Sequence, residues 1–187
     1  QSKIIPIITA KKDVLGVAQT GTGKTAAYVL PILQNITINN AKYERKSCKT
    51  LIVVPTRELA MQVYDNVKIF SKYLSIRTSL VVGGVKPSPQ LKSLLKGVDI
   101  LVGTPGRMMD HVKSGGLSLK YTTTIVLDEA DQLMDLGFMP DIKKMVSHLP
   151  KHRQTIFMTA TMLKEVKEIA LKFLKEFKEI NLAPKAT

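Results

Sequence analysis

Two short stretches of this chain hold residues that can do chemistry together. Ala18-Gln19-Thr20-Gly21-Thr22-Gly23-Lys24-Thr25 ends in Lys-Thr after two glycines, and Asp128-Glu129-Ala130-Asp131 follows directly on the apolar run Ile125-Val126-Leu127. Gly21 and Gly23 let the backbone turn tightly, so that successive N–H groups can face a phosphate. Lys24 is then placed to reach the β and γ phosphates, and the Thr25 hydroxyl to ligate Mg²⁺. A helix starting near Lys24 adds its positive N-terminal end. Asp128 completes the metal site, directly or through water, and Glu129 is the candidate to orient and deprotonate an attacking water. Each stretch alone has a plainer reading: a glycine turn, or carboxylates that suit the start of a helix. In this order, at strand ends, they point to NTP hydrolysis with Lys24, Asp128 and Glu129 as catalytic residues. Ala18 departs from the general phosphate-loop pattern, which begins with glycine.

The elements that must position these residues are legible as alternating patterns. Val14–Ala18, Leu51–Val54, Ser79–Val82, Ile100–Val102, Thr124–Leu127, Thr155–Met158 and Lys178–Leu182 are short and mostly apolar, as strands buried on both faces should be. Between them, Leu59, Val63, Val67, Phe70 and Leu74 recur at helical spacing, as do Val166, Ile169, Ala170 and Phe173. Such alternation predicts an α/β fold, a mostly parallel central sheet with helices on both faces, whose ligands bind at the carboxyl ends of the strands. Each chemical stretch falls at such an end. The methionines Met108, Met109, Met134, Met139 and Met145 read as core filler, His111 and His148 as helix-surface residues, and 39–49 as the least ordered stretch.

Bulk composition narrows the function classes. With 187 residues, 44% of them hydrophobic, the chain fits one globular domain. No apolar run approaches the roughly 18 residues needed to span a bilayer, and the start, Gln1-Ser2-Lys3-Ile4-Ile5-Pro6, lacks the layout of a signal peptide and reads as a fragment boundary. The single cysteine, Cys48, excludes an internal disulfide and suits a reducing, intracellular compartment; its lysine-rich neighbourhood implies a surface or half-buried thiol. A net charge of +13, from 28 basic and 15 acidic residues, favours a polyanionic partner such as nucleic acid, although solvated helix faces also raise the count. The histidines show no zinc-ligand spacing, and no Asn-Lys-x-Asp block reads guanine.

Taken in chain order, further blocks join the first two: Pro55-Thr56-Arg57-Glu58-Leu59-Ala60, Gly83-Gly84, Thr104-Pro105-Gly106-Arg107 and Thr159-Ala160-Thr161. With them the chain resembles the N-terminal RecA-like lobe of DEAD-box ATP-dependent RNA helicases, over essentially its whole length. The resemblance implies a RecA-like P-loop NTPase fold over residues 1–182, the start of an interdomain linker at 183–187, and a C-terminal lobe outside this chain. It implies ATP and Mg²⁺ as ligands, with Gln1 selecting adenine. It also implies RNA contacts from Pro55, Thr56, Arg57, Gly83, Gly84, Thr104, Pro105, Gly106 and Arg107. Their hydroxyls, glycine N–H groups and guanidinium groups suit a phosphate backbone. Asp131, Thr159 and Thr161 are implied to couple the acidic motif to the arrangement of the lobes; Thr159 stands where the family usually has serine, a variant that keeps the hydroxyl.

The implied activity couples ATP hydrolysis to RNA unwinding or to remodelling of RNA–protein assemblies, with the C-terminal lobe and protein cofactors as partners and a monomer as the expected state. A lobe separated from its arginine fingers would hydrolyse ATP very slowly. A nucleotide-gated RNA clamp would use the same residues, and a DNA-directed translocase is the third reading.

Overall fold

Every apolar run named above forms a strand: β1 (Val14–Val17), β2 (Cys48–Val53), β3 (Thr78–Val81), β4 (Val98–Gly103), β5 (Thr124–Leu127), β6 (Gln154–Thr159) and β7 (Lys178–Asn181). The computed structural model describes residues 1–19 and 23–182. All seven strands join one sheet in the order β3-β4-β2-β5-β6-β1-β7. Every pairing is parallel. Ala18, Val54 and Leu182 lie just past strand ends, yet still donate N–H bonds to Thr159, Gly103 and Val17.

The inner strands are mostly apolar because the sheet is covered on both sides; the edge strand β7, Lys-Glu-Ile-Asn, is instead polar and largely exposed, contrary to the buried strand expected at 178–182. Successive side chains point to opposite faces. Leu15, Leu51, Leu101, Ile125 and Phe157 therefore enter one core layer, while Val14, Ile52, Ile100, Val126 and Ile156 enter the other. The second layer is closed by α1 (Ile5–Thr9), α2 (Lys24–Asn39) and α3 (Arg57–Phe70). The first is closed by α4 (Pro87–Leu94), α5 (Pro105–Lys113), α6 (Ala130–Asp135), α7 (Met139–Ser147) and α8 (Lys164–Phe173). Phe157 is fully buried, and truncating such a side chain to alanine typically costs about 3–5 kcal/mol. Met108, Met109 and Met145 are buried in this layer, with Met134 and Met139 packed against it, as filler should be.

Helix starts put the motif residues where they are. Thr56 is the N-cap of α3, its hydroxyl accepting from Leu59 N–H at 3.2 Å, with Glu58 in the first turn and Lys68 in the last. That cap contributes on the order of 1 kcal/mol, and both charges suit the helix dipole. Pro105 opens α5, where a missing N–H costs nothing. The helix α3 stops at Phe70, and Leu74 falls in the following turn, so Phe70 and Leu74 stay 36% and 40% exposed.

Three local readings of the sequence are corrected. Cys48 is buried in β2, 1% exposed, beside Thr122, and burial pushes its thiol up to about 12. His111 is also buried, on the inner side of α5, because Gln90 of α4 supplies a partner for its ring at 3.0 Å. The stretch 39–49 is tied down at Tyr43, whose hydroxyl donates to Asp99 at 2.6 Å and whose ring carries the Arg77 guanidinium at 3.8 Å. Lys49 pairs with the same carboxylate at 2.9 Å. Those partners lie about 30–55 residues away in sequence, beyond any local pattern.

Candidate functional site

Lys24, first residue of α2, and the pair Asp128–Glu129, just past β5, converge at the carboxyl edge of the sheet. The Lys24 ammonium lies 3.1 Å from Asp128 Oδ1 and bonds to Glu129 Oε1. All three residues are buried, at 8%, 2% and 4% exposure. Burial alone would lower the pKa of Lys24, but the charges of Asp128 and Glu129 outweigh it and leave the ammonium held above its usual value. Asp128 has two further donors: the backbone N–H of Glu129 and the hydroxyl of Tyr28, both at 2.8 Å. Tyr28 is wholly buried one turn beyond Lys24; burial, then the charge of Asp128, pushes its phenol well above the ordinary range.

Glu129 has φ +52°, the left-handed region that side chains with a Cβ rarely adopt. Such a conformation costs on the order of 1–3 kcal/mol and persists where surrounding contacts hold it. Here the buried contact with Lys24 holds it. A cavity of about 250 Å³ opens beside the cluster, walled by Gly23, Lys24, Thr25, Asp128 and Glu129 and, from α3, by Leu59, Gln62 and Asn66. Gln1 reaches over the start of α2 and donates to the Gly23 carbonyl at 3.3 Å. Ala18 is buried and Gln19 exposed beside β1; Thr20, Gly21 and Thr22 lie outside the described residues. Among the described residues no group of three His, Cys, Asp or Glu side chains could hold a metal. The side chains with oxygens at this cavity are Thr25, Asp128, Glu129, Gln62 and Asn66.

Thr161 donates its hydroxyl to Asp131 Oδ2 at 3.0 Å, and Thr159 donates to the Thr161 carbonyl at 2.8 Å. The acidic motif after β5 is thus joined directly to the threonine motif after β6.

The remaining sequence candidates occupy the other half of the same edge. Thr56 and Arg57 follow β2, Gly83 and Gly84 follow β3, and Thr104 to Arg107 follow β4. Because the sheet runs β3-β4-β2-β5-β6-β1, this group and the Lys24 cluster adjoin at the β2–β5 pair. Gly84 has φ +77°, and a Cβ there would come within 2.9 Å of Arg57 Nη1. Arg57 is exposed, Thr56, Thr104, Gly83 and Gly106 partly so, whereas Pro55 and Pro105 are buried and shape the turns. Arg107 Nη1 donates to the Val85 carbonyl at 2.9 Å and to Gln90 Oε1 at 3.3 Å. Gln90 in turn donates to the Val82 carbonyl at 2.9 Å.

Gln90, His111 and Tyr28 were not flagged by motif spacing. A tyrosine four positions after Lys24 on one helix face is a signal for Tyr28. Gln90 and His111 gave no local signal, since each gains its role only from the other's element.

Fold and site together define an α/β domain of the P-loop type. A family model described as DEAD/DEAH box helicase matches residues 1–169, and the chain belongs to that family. Among curated relatives, "ATP-dependent RNA helicase DeaD" of Buchnera aphidicola subsp. Schizaphis graminum is 42% identical over 188 residues, covering 100% of this chain and 30% of that protein. "DEAD-box ATP-dependent RNA helicase CshA" of Geobacillus kaustophilus is 41% identical, covering 94% and 37%. The crystal structure of a DEAD box protein from Methanococcus jannaschii superposes with a TM-score of 0.87 at 32% identity, over 97% of this chain and 48% of that one. The chain thus spans about a third of the length of the curated relatives it matches. No helix among the described residues is long and apolar enough to cross a membrane.

Proposed function

We propose that residues 1–182 are the ATP- and RNA-binding lobe of an ATP-dependent RNA helicase, with a second lobe and the linker starting at 183–187 completing the enzyme. One observation carries this reading. The Lys24–Asp128–Glu129 cluster and the Arg57–Gly84–Thr104 group adjoin along one sheet edge, and α3 runs from one to the other. A triphosphate at the start of α2 would take the Lys24 ammonium from its carboxylate partners. Glu129, released from that pair, would be able to orient water and accept its proton. Thr25 and Asp128 are hard oxygen donors of the kind Mg²⁺ takes in such sites, and the ion would offset phosphate charge there. Gln1, beside Gly23, would read the adenine edge, and the Ala18–Thr25 motif would bind the phosphates.

RNA would lie on the adjoining half, its backbone held by Thr56, Arg57, Gly83, Gly84, Thr104, Gly106 and Arg107. A charge of +13 favours that partner. The chain Asp131–Thr161–Thr159 would pass the state of the acidic motif to the lobe interface. Alone, the lobe would turn over ATP very slowly, because arginine fingers contribute on the order of 10³–10⁵ in rate.

The test is steady-state ATP hydrolysis by this chain joined to its second lobe, without nucleic acid, with single-stranded RNA and with matched DNA. Stimulation by RNA and not by DNA is the expected result. Equal stimulation by DNA would overturn the RNA assignment, and none with either would overturn the helicase reading.

A further inference from the structure

A second cavity lies at the opposite, amino edge of the sheet, and no motif residue lines it. It encloses about 520 Å³ between the last turns of α2, the segment before β2, and the starts of β2, β4, β5 and β6. Small-molecule sites typically measure about 300–1,000 Å³. Of α2, whose first residue is Lys24, it is lined by Ile32, Asn35, Ile36 and Asn39; Ile32 lies roughly 12 Å along the helix from Lys24 at 1.5 Å per residue.

Its floor is apolar: Ile32, Cys48 and Val98 are 3%, 1% and 4% exposed. Its rim is basic. Lys11, Lys42, Lys49 and Arg153 line it against one carboxylate, Glu44. Lys49 is engaged by Asp99, but Lys11 and Lys42 are exposed and have no carboxylate partner among the described residues. Arg153 donates Nη1 to the Pro150 carbonyl, while its Nε–H is buried without an acceptor. Two aromatic rings complete the lining. Tyr43 is held rigidly by Asp99 and Arg77, and Tyr121 is 46% exposed.

We propose that this cavity binds a small organic anion. A flat apolar body would lie on the Ile32–Val98 floor beside the tyrosines, and its carboxylate, phosphate or sulfonate group would be held by Lys11, Lys42 and Arg153. Apolar floors with a few convergent polar groups are what such ligands need. An RNA backbone would instead call for an open basic track with hydroxyl and glycine N–H donors, which lie at the other edge of the sheet. The site stands apart from the helicase reading, and neither depends on the other.

Naphthalene-1-sulfonate is a suitable probe, titrated into the ¹⁵N-labelled chain and followed in ¹H–¹⁵N spectra. Saturable shifts are expected at residues 42–50, 121–124 and 152–154. Affinity should fall about tenfold or more in the Lys11→Glu, Lys42→Glu double variant and with the uncharged naphthalene-1-sulfonamide. Lys164→Glu, Lys172→Glu, two exposed residues of α8, makes the same change in net charge and should leave affinity unaltered. All four lysines are exposed, so the fold should survive in both variants. Absence of saturation, shifts centred on Lys24 and Asp128, or equal loss in both double variants would overturn the proposal.

Discussion

Tyr28 donates its phenolic hydroxyl to Asp128 Oδ2 at 2.8 Å, across 100 residues of sequence, and both groups are buried. The bond ties α2 to the strand end carrying the acidic pair. Tyr28→Phe would remove a donor from a buried carboxylate. Hydrogen bonds to charged groups contribute about 1.5–3 kcal/mol, so urea unfolding should show a loss of that size. A change within error of zero would mean that Lys24 and the Glu129 N–H satisfy Asp128 unaided.

That relationship also shows what sequence reading reaches. The inner strands were legible because a sheet covered on both faces leaves apolar runs, and so was the meeting of Lys24 with Asp128 and Glu129, because the two motifs set fixed residue types at strand ends. Tyr28, Gln90 and His111 were not, since their partners sit on other elements. Nor was the division of the carboxyl edge into two adjoining halves. It follows from strand order, which places β2 beside β5 although β3 and β4 intervene in sequence. The left-handed backbone of Glu129 is the residue-level case: a glutamate in that conformation breaks local preference, and contacts with Lys24, Asp128 and Leu133 hold it.

The glycine–arginine contact on the other half of the edge should be separable from nucleotide binding. Arg57→Ala should weaken binding of single-stranded RNA and reduce the slope of log affinity against log salt by about 0.7. Gly84→Ala, strained at φ +77° and crowding Arg57, should weaken it too. Both should leave Mg²⁺·ATP affinity unchanged. An unaltered salt slope in Arg57→Ala would remove its phosphate contact.

His111 gives the chain a pH dependence of known sign. Burial first, and then the charge of Arg107, lower its pKa from the ordinary 6.5, while Asp110 opposes them. As pH falls below about 6.5, the unfolded chain takes up this proton before the folded one does. The contribution is therefore full above that pH and is lost as pH falls through the folded value. Thermal unfolding of wild type and His111→Gln between pH 5 and 8 checks this. The stability difference between them should shift in favour of the variant on acidification; a constant difference would exclude it.

Asp99 is 1% exposed and accepts from Tyr43, Lys49 and the Arg77 N–H. Asp99→Ala would leave Lys49 unpaired and the Tyr43 segment unanchored. Removing one partner of a buried ion pair typically costs about 3–5 kcal/mol. Denaturant unfolding should show a loss in that range, and one below about 1 kcal/mol would mean the segment is held by packing alone.

A triphosphate bound at the start of α2 would separate Lys24 from Glu129. Calorimetric titration of Mg²⁺·ATP into this chain and two variants tests it. Lys24→Ala should bind about tenfold more weakly or worse, about 1.4 kcal/mol, because the phosphates lose their cation. Glu129→Gln should bind at least as tightly as wild type, because the carboxylate that competes for Lys24 is gone. Unchanged affinity in Lys24→Ala, or lost affinity in Glu129→Gln, would contradict the assignment of phosphate binding to one residue and water activation to the other.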